Sequence, residues 1–367
     1  MANIPLVDLK AQHAQVADAV RDGWDKVLSN TAFIQGPQVA EFETAFAAFS
    51  SVRHCVGVAN GTDALELMLR AAGVGPGDEV ILPANTFIAT ALAVARAGAT
   101  PVLVDSDPHT HLIETRQVES RITPQTKALL PVHLFGQMAP MEELEAIAKA
   151  HRILLFEDGA QSHGASRNGR AAGSIGLAAG ISFYPGKNLG AYGDAGAVLT
   201  NSDELAKKLR ALRNYGSEVK YHHPETGFNS RLDTLQAVVL SAKLVHLARW
   251  NEARRQAAAR YDALLEGDAG IARAATLPGN VHVFHLYVVR VARRDEVLAA
   301  LNREGIGAGI HYPVPIHLQG AFKHLGHWEG SFPEAERAAN EMISLPLFAE
   351  ITEEQQERVV KALRAAL

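Results

Sequence analysis

Two hydrophobic periodicities divide the chain. Up to Phe49 the apolar residues recur at helical spacing, with Val16, Val20, Trp24 and Val27 in register, until Gln35-Gly36-Pro37 interrupts the run. Phe33 and Ile34, just before that break, suit core packing, or a cover over a site. From Val56 the rhythm changes. Short apolar stretches at 79–83, 101–104, 128–132 and 153–157 alternate with helical segments at 89–97 and 141–150. That alternation predicts βαβ units and a largely parallel, buried sheet between about Val56 and Thr200. A long amphipathic stretch over 232–265, with Leu235, Val238, Val239, Leu244 and Leu247, predicts a helix leading out of this region. Beyond it come a strand at 285–291, a helix at 294–303, a turn at Gly305-Ile306-Gly307 and a closing helix at 351–367. The expected division is an N-terminal segment with a large domain over 1–245, then a linker helix and a small α+β domain over 246–367.

Composition narrows the function. With 47% hydrophobic and 20% charged residues, a net charge of -5 and no block of like charge, the chain reads as globular, with no nucleic-acid or membrane-surface partner. Cys55 is the single cysteine, which excludes an internal disulfide, a multi-cysteine zinc site and an iron–sulfur cluster. No signal core follows the N-terminus and no apolar run is long enough to span a bilayer, so a cytoplasmic location is expected. His222-His223 precedes Pro224 in a polar stretch without ligand spacing, so no metal site is expected.

Four segments carry candidate chemistry. In Ile181-Ser182-Phe183-Tyr184-Pro185-Gly186-Lys187 a strand runs into a Pro-Gly turn that holds a lysine at the sheet's C-terminal edge. A lysine buried there loses hydration and becomes a usable nucleophile, although a lysine after a turn also suits a bare surface position. In Leu154-Leu155-Phe156-Glu157-Asp158 an apolar strand ends in two acids, which alternation sends to opposite faces. Asp158 is the candidate to pair with a protonated pyridine nitrogen, the interaction that makes pyridoxal phosphate (PLP) an electron sink; helix capping is the plain alternative. Gln161 could then meet the ring hydroxyl. Asn60-Gly61-Thr62-Asp63 turns a strand into a helix start, a phosphate cradle to which Ser182 could add a hydroxyl. Phe87 follows the 79–83 strand and offers a face for a ring, though it also suits a core position.

Taken together with Gly75-Pro76-Gly77-Asp78-Glu79-Val80, Pro131-Val132-His133-Leu134-Phe135-Gly136, Asn229-Ser230-Arg231-Leu232 and His311-Tyr312-Pro313, these motifs resemble one family over nearly the whole chain. It is the DegT/StrS-like sugar aminotransferases, of the aspartate aminotransferase-like fold type I PLP enzymes. The resemblance implies an α/β fold with a mostly parallel central sheet and a smaller C-terminal α+β domain. It implies Lys187 as the Schiff-base lysine and proton relay, Asp158 at the pyridine nitrogen, Gln161 at the ring hydroxyl and Phe87 stacked on the ring. Gly61, Thr62 and Ser182 would hold the phosphate, with Asn229 reaching it from the neighbouring subunit of a homodimer. Within the family, the segments around 183–190, 212–217 and 311–318 are most similar to enzymes that aminate C-3 of dTDP-3-keto-6-deoxyhexoses, with L-glutamate as donor. Tyr184, Lys220, His311 and Tyr312 would then line the nucleotide-sugar site. A UDP-linked 3-keto acetamido sugar or sugar acid, or amination at C-4, are the alternative substrate readings. A sugar dehydratase of the same fold would have histidine for lysine, or an iron–sulfur cysteine set, and Lys187 with a lone Cys55 fits neither. A non-catalytic regulator does not explain Asp158, Gln161 and Lys187 together.

Overall fold

The computed structural model describes residues 3–367; Met1 and Ala2, where the expected N-terminal segment begins, lie outside the described residues. Two four-stranded groups form the centre. In one, Thr100–Val104, Glu79–Pro83, Thr126–Leu129 and Leu154–Leu155 lie side by side and parallel. In the other, Glu157–Asp158 pairs parallel with Ala178–Ser182, followed by Gly196–Thr200 and His54–Val58. Only Phe156 separates Leu155 from Glu157, so the 154–158 segment joins the groups into one layer. Phe156 N–H donates to Leu129 O and Asp158 N–H to Pro131 O, both at 2.9 Å. Gly196–Thr200 runs against both neighbours, and the rest is parallel, as the alternating pattern predicts. These strands are buried on both faces, which is why they read as continuous apolar runs.

Helices cover both faces of this sheet. On one side Gly61–Ala71 and Ile88–Ala97 bury Leu65, Met68 and Val94 against Val80, Leu82, Phe156 and Val198. On the other, Pro37–Phe49 and the long Thr234–Leu264 helix bury Phe42, Phe46 and Leu240 against Ile181 and Phe183. The Phe183 ring meets Phe42 and Phe46 edge-on at 5.4 and 5.2 Å, which anchors the strand just before Lys187. Phe33 and Ile34 do not enter this core. The chain leaves the Ala17–Asn30 helix through left-handed Thr31 (φ 50°) and turns them outward, 44% and 53% exposed, with Ile34 bridging to Asp233.

A second apolar core forms around Tyr287–Val291, which lies antiparallel between Ile271–Arg273 and Met342–Leu345. The Arg294–Arg303 and Glu353–Ala366 helices close over it with Val297, Leu301, Val359 and Leu363. The long helix serves both cores, Leu240 and Leu247 in the first and Ala257 and Tyr261 in the second. Ile4 also belongs to the second core and pairs with Ile306. Where the cores meet, Arg254 of the long helix donates to the carbonyls of Phe284, His285 and Leu347 at 3.1, 3.5 and 3.0 Å. No helix among the described residues is long and apolar enough to cross a membrane.

Candidate active site

The C-terminal ends of the Ala178–Ser182 and Glu157–Asp158 strands, the start of the Gly61–Ala71 helix and segment 285–312 enclose a cavity of about 560 Å³. Gly61, Thr62, Phe87, Asp158, Gln161, Ser182, Tyr184, Lys187, His311 and Tyr312 all line it. Ten of the twelve candidate residues read from the sequence therefore meet at one place, although they are spread from Gly61 to Tyr312. The remaining two do not line it. Lys220 and Asn229 are exposed, and Lys220 instead borders a separate open hollow with Tyr215, Tyr221 and Arg231.

Strand alternation separates the two acids. Glu157 points away from the cavity into a closed shell of donors. Its Oε2 meets His133 Nε2 and Gly173 N–H, both at 2.8 Å, and its Oε1 accepts Ile175 and Gly176 N–H at 2.8 and 2.7 Å. Burial alone would raise its pKa, but His133 and these backbone donors hold it below the usual carboxylate value. Asp158 faces the cavity with fewer donors: Thr90 Oγ1 at 2.7 Å on Oδ2 and Ala160 N–H at 3.1 Å on Oδ1. Burial therefore pushes its pKa up, against the pull of Thr90, Ala160 and the Lys187 charge. A buried carboxylate with capacity to spare suits a cationic N–H donor.

Lys187 follows the Pro185-Gly186 turn, its backbone N–H bonded to Tyr184 O at 2.8 Å. Burial pulls its ammonium down from 10.5 to about 8, with Asp158 acting in the opposite sense. The loop is held from behind. Asn188 donates to Asn251 Oδ1 and to Val283 O, both at 2.9 Å, and lies 3.2 Å from His285 Nδ1. Lys243, itself buried, donates to Gly190 O at 2.7 Å. The amine thus projects from a fixed base.

At the opposite end Asn60 caps the Gly61–Ala71 helix, its side chain accepting Asp63 N–H at 2.8 Å. The strand end comes so close that a Cβ on Gly61 would lie 2.5 Å from Ser182 Cβ. Glycine here brings a helix N-terminus and two hydroxyls, Thr62 and Ser182, onto one anion-sized corner.

The remaining wall is aromatic and uncharged. Phe87 and Tyr312 lie 5.2 Å apart at a 39° tilt, and Phe87 is 51% exposed at the mouth rather than packed in the core. Gln161 accepts Phe135 N–H at 2.6 Å and donates to Tyr312 Oη at 3.0 Å, which leaves its second amide N–H available. Burial, then the Lys187 charge, brings His311 down to about 4, and its Nδ1 pairs with Ser344 Oγ at 2.8 Å. Burial also keeps His285 neutral. His163, which suits either pocket lining or a core position from the sequence, is buried and bonds Ser182 O at 2.8 Å. The structure adds residues that the sequence did not single out: Thr86 and His285 on the cavity wall, and Thr90 and Asn188 just behind it. Asn188 stands in the lysine motif, and that adjacency was the one available signal. Among the described residues no cluster of three or more histidine, cysteine, aspartate or glutamate side chains is placed to hold a metal.

This donor set fits PLP feature by feature. There is an amine for its aldehyde, an under-donated carboxylate for its ring nitrogen, a free amide N–H for its hydroxyl, and the corner where a Gly61 Cβ would collide with Ser182 for its phosphate. Comparison with known proteins agrees. The profile of the DegT/DnrJ/EryC1/StrS aminotransferase family matches residues 15–364. A pleiotropic regulatory protein of Geobacillus stearothermophilus is 50% identical, over 98% of each chain. The dTDP-3-amino-3,4,6-trideoxy-alpha-D-glucose transaminase of Streptomyces venezuelae is 46% identical, over 98% of this chain and 95% of that one. The crystal structure of DesV from S. venezuelae, in complex with a ketimine intermediate, superposes with a TM-score of 0.97 at 45% identity, over 100% of this chain and 98% of that one.

Proposed function

Since the chain belongs to the DegT/DnrJ/EryC1/StrS aminotransferase family, we propose that this PLP-dependent enzyme moves the amino group of L-glutamate to C-3 of a dTDP-linked 3-keto-6-deoxyhexose. The observation that carries the site assignment is the single cavity wall shared by Lys187 and Asp158. When bound, PLP supplies an electrophilic carbon and a ring that withdraws electrons from the bond being broken. Lys187, whose amine titrates near 8, is the nucleophile toward that carbon and afterwards the base and acid that carries a proton across one face of the cavity. Asp158 accepts a hydrogen bond from the ring nitrogen and keeps it protonated. Gly61 N–H, Thr62 and Ser182 bind the phosphate. Gln161 binds the ring hydroxyl, and Phe87 covers the ring and excludes water. Tyr184, His311 and Tyr312 form the sugar-facing wall, where neutral groups suit a neutral deoxyhexose.

Two further readings concern assembly and organisation. We read the enzyme as a cytoplasmic homodimer in which Asn229 and Lys220 of one copy complete the cavity of the other. Their exposure supports this, together with that of the apolar Tyr215, Val219 and Tyr221 beside them. We read two units, 1–245 and 246–367, on the support of two cores bridged by the long helix, with Ile4 crossing from the first unit to the second core and Leu247 reaching back to the first.

The test is glutamate-dependent amination across a panel of dTDP- and UDP-linked 3-keto and 4-keto sugars, with the product position read by NMR. Amination at C-3 of the dTDP-3-keto-6-deoxyhexose is expected. Turnover at C-4, or of UDP sugars alone, overturns the substrate assignment. Turnover persisting in Lys187→Ala overturns the mechanism.

A further inference from the structure

Asp158 carries a functional charge in the interior with no arginine or lysine bonded to it. Its firmest contact is a hydroxyl from the first turn of the Ile88–Ala97 helix. A threonine in a helix can bond back to the carbonyl four residues earlier. Thr90, fully buried, instead directs Oγ1 at Asp158 Oδ2, 2.7 Å away. Its Oγ1 is also 2.8 Å from Thr86 Oγ1, four residues earlier, ahead of the helix and likewise buried. An ionised carboxylate only accepts, so Thr90 must donate to it. Having one proton, Thr90 can then only accept from Thr86. The order Thr86 to Thr90 to Asp158 is thus forced, and two hydroxyl dipoles point their positive ends at one carboxylate.

We infer that Thr90, backed by Thr86, is a positioning residue that sets the orientation and hydrogen-bonding strength of Asp158 toward the cofactor's ring nitrogen. The inference rests on the reading of Asp158 as the partner of that nitrogen. Ala160 N–H fixes the second oxygen at 3.1 Å, so Thr90 decides which lone pairs remain to face the cavity. Without Thr90 the same carboxylate keeps a single weak donor in a dry environment, where a lost hydrogen bond to a charged group matters most. A carboxylate that binds a proton more readily draws the proton shared with the ring nitrogen toward itself, which leaves that nitrogen less cationic.

The variants are Thr90→Val, which keeps the shape and removes the hydroxyl, and Thr90→Ser, which restores it. The holoenzyme is loaded with PLP labelled with nitrogen-15 in the ring, and the chemical shift of that nitrogen reports its protonation without turnover. The expected result is a shift toward the neutral position in Thr90→Val, return to the wild-type position in Thr90→Ser, and roughly tenfold weaker PLP binding in the valine variant alone. Thr86→Val should move the signal in the same direction by less. Asp158→Asn is the control. If it shifts the signal while Thr90→Val does not, the role of Thr90 is refuted and that of Asp158 stands. If Asp158→Asn leaves the signal unmoved, the underlying reading falls and this inference with it.

Discussion

Replacing Lys187 with methionine should stabilise the cofactor-free protein at neutral pH, and the gain should vanish at alkaline pH. The native fold lowers this ammonium from 10.5 to about 8, with burial as the leading cause. At about 1.4 kcal/mol per pH unit that displacement corresponds to roughly 3 kcal/mol. Lys187 retains some contact with water through the cavity, so about 2 kcal/mol is expected. Between pH 8 and 10.5 the unfolded chain holds this proton and the folded chain does not, so wild-type stability rises with pH across that window. Below pH 8 both states are protonated and the penalty is present in full. The methionine variant has no such term. Urea denaturation of both apoproteins at one protein concentration, at about pH 7 and about pH 11, should show the variant ahead by about 2 kcal/mol at the first pH and nearly level with wild type at the second. A gap of equal size at both values, or a less stable variant at neutral pH, refutes the claim that Lys187 is held at the expense of folding.

Other perturbations separate chemistry from scaffold. Asp158→Asn should retain PLP but slow the half-reaction with glutamate on the order of 10³-fold, measured as the decay of the bound-cofactor absorbance in single turnover. Glu157→Gln removes the charge and gives two of four donors nothing to bond, so unfolding free energy should fall by about 3 kcal/mol while the cofactor spectrum is unchanged. Gly61→Ala drives a methyl into Ser182 and should cost about 1–3 kcal/mol of cofactor binding, read from the PLP dissociation constant. Arg213→Met breaks a buried pair with Glu43 and a 2.7 Å bond to Gly57 O, and should lower stability by about 3–5 kcal/mol in thermal or urea unfolding.

Much of this was legible because it is local. Strand-to-turn transitions put Lys187, Asp158 and Gly61 at the same edge of the sheet, and period-2 alternation alone distinguishes Asp158 from Glu157. The 294–303 helix has the expected limits, since its apolar positions and its Gly305 stop are both short-range signals. What escaped depends on contacts between distant segments. Thr90 lies 68 positions from Asp158, and nothing in its helix distinguishes it from a threonine facing solvent. His285 reads as the first residue of a strand, yet that strand starts at Tyr287 and His285 turns toward the cavity. Phe33 and Ile34 look like core by hydropathy, but a left-handed residue before them sets their direction, and hydropathy does not encode direction. Lys220 and Asn229 carry no local feature that shows they lie away from this cavity wall.

Arg254 determines which core the end of the long helix follows. One guanidinium serves three main-chain carbonyls, those of Phe284, His285 and Leu347, and all four residues fall within 246–367, so it ties the C-terminal half of the long helix to the second core. The lip of the cavity is looser, since the Phe87 and Tyr184 rings are more than half exposed there. Gatekeeping by such rings belongs to the fast regime of rotamer and loop motion, not to the slow regime of whole-lobe rotation.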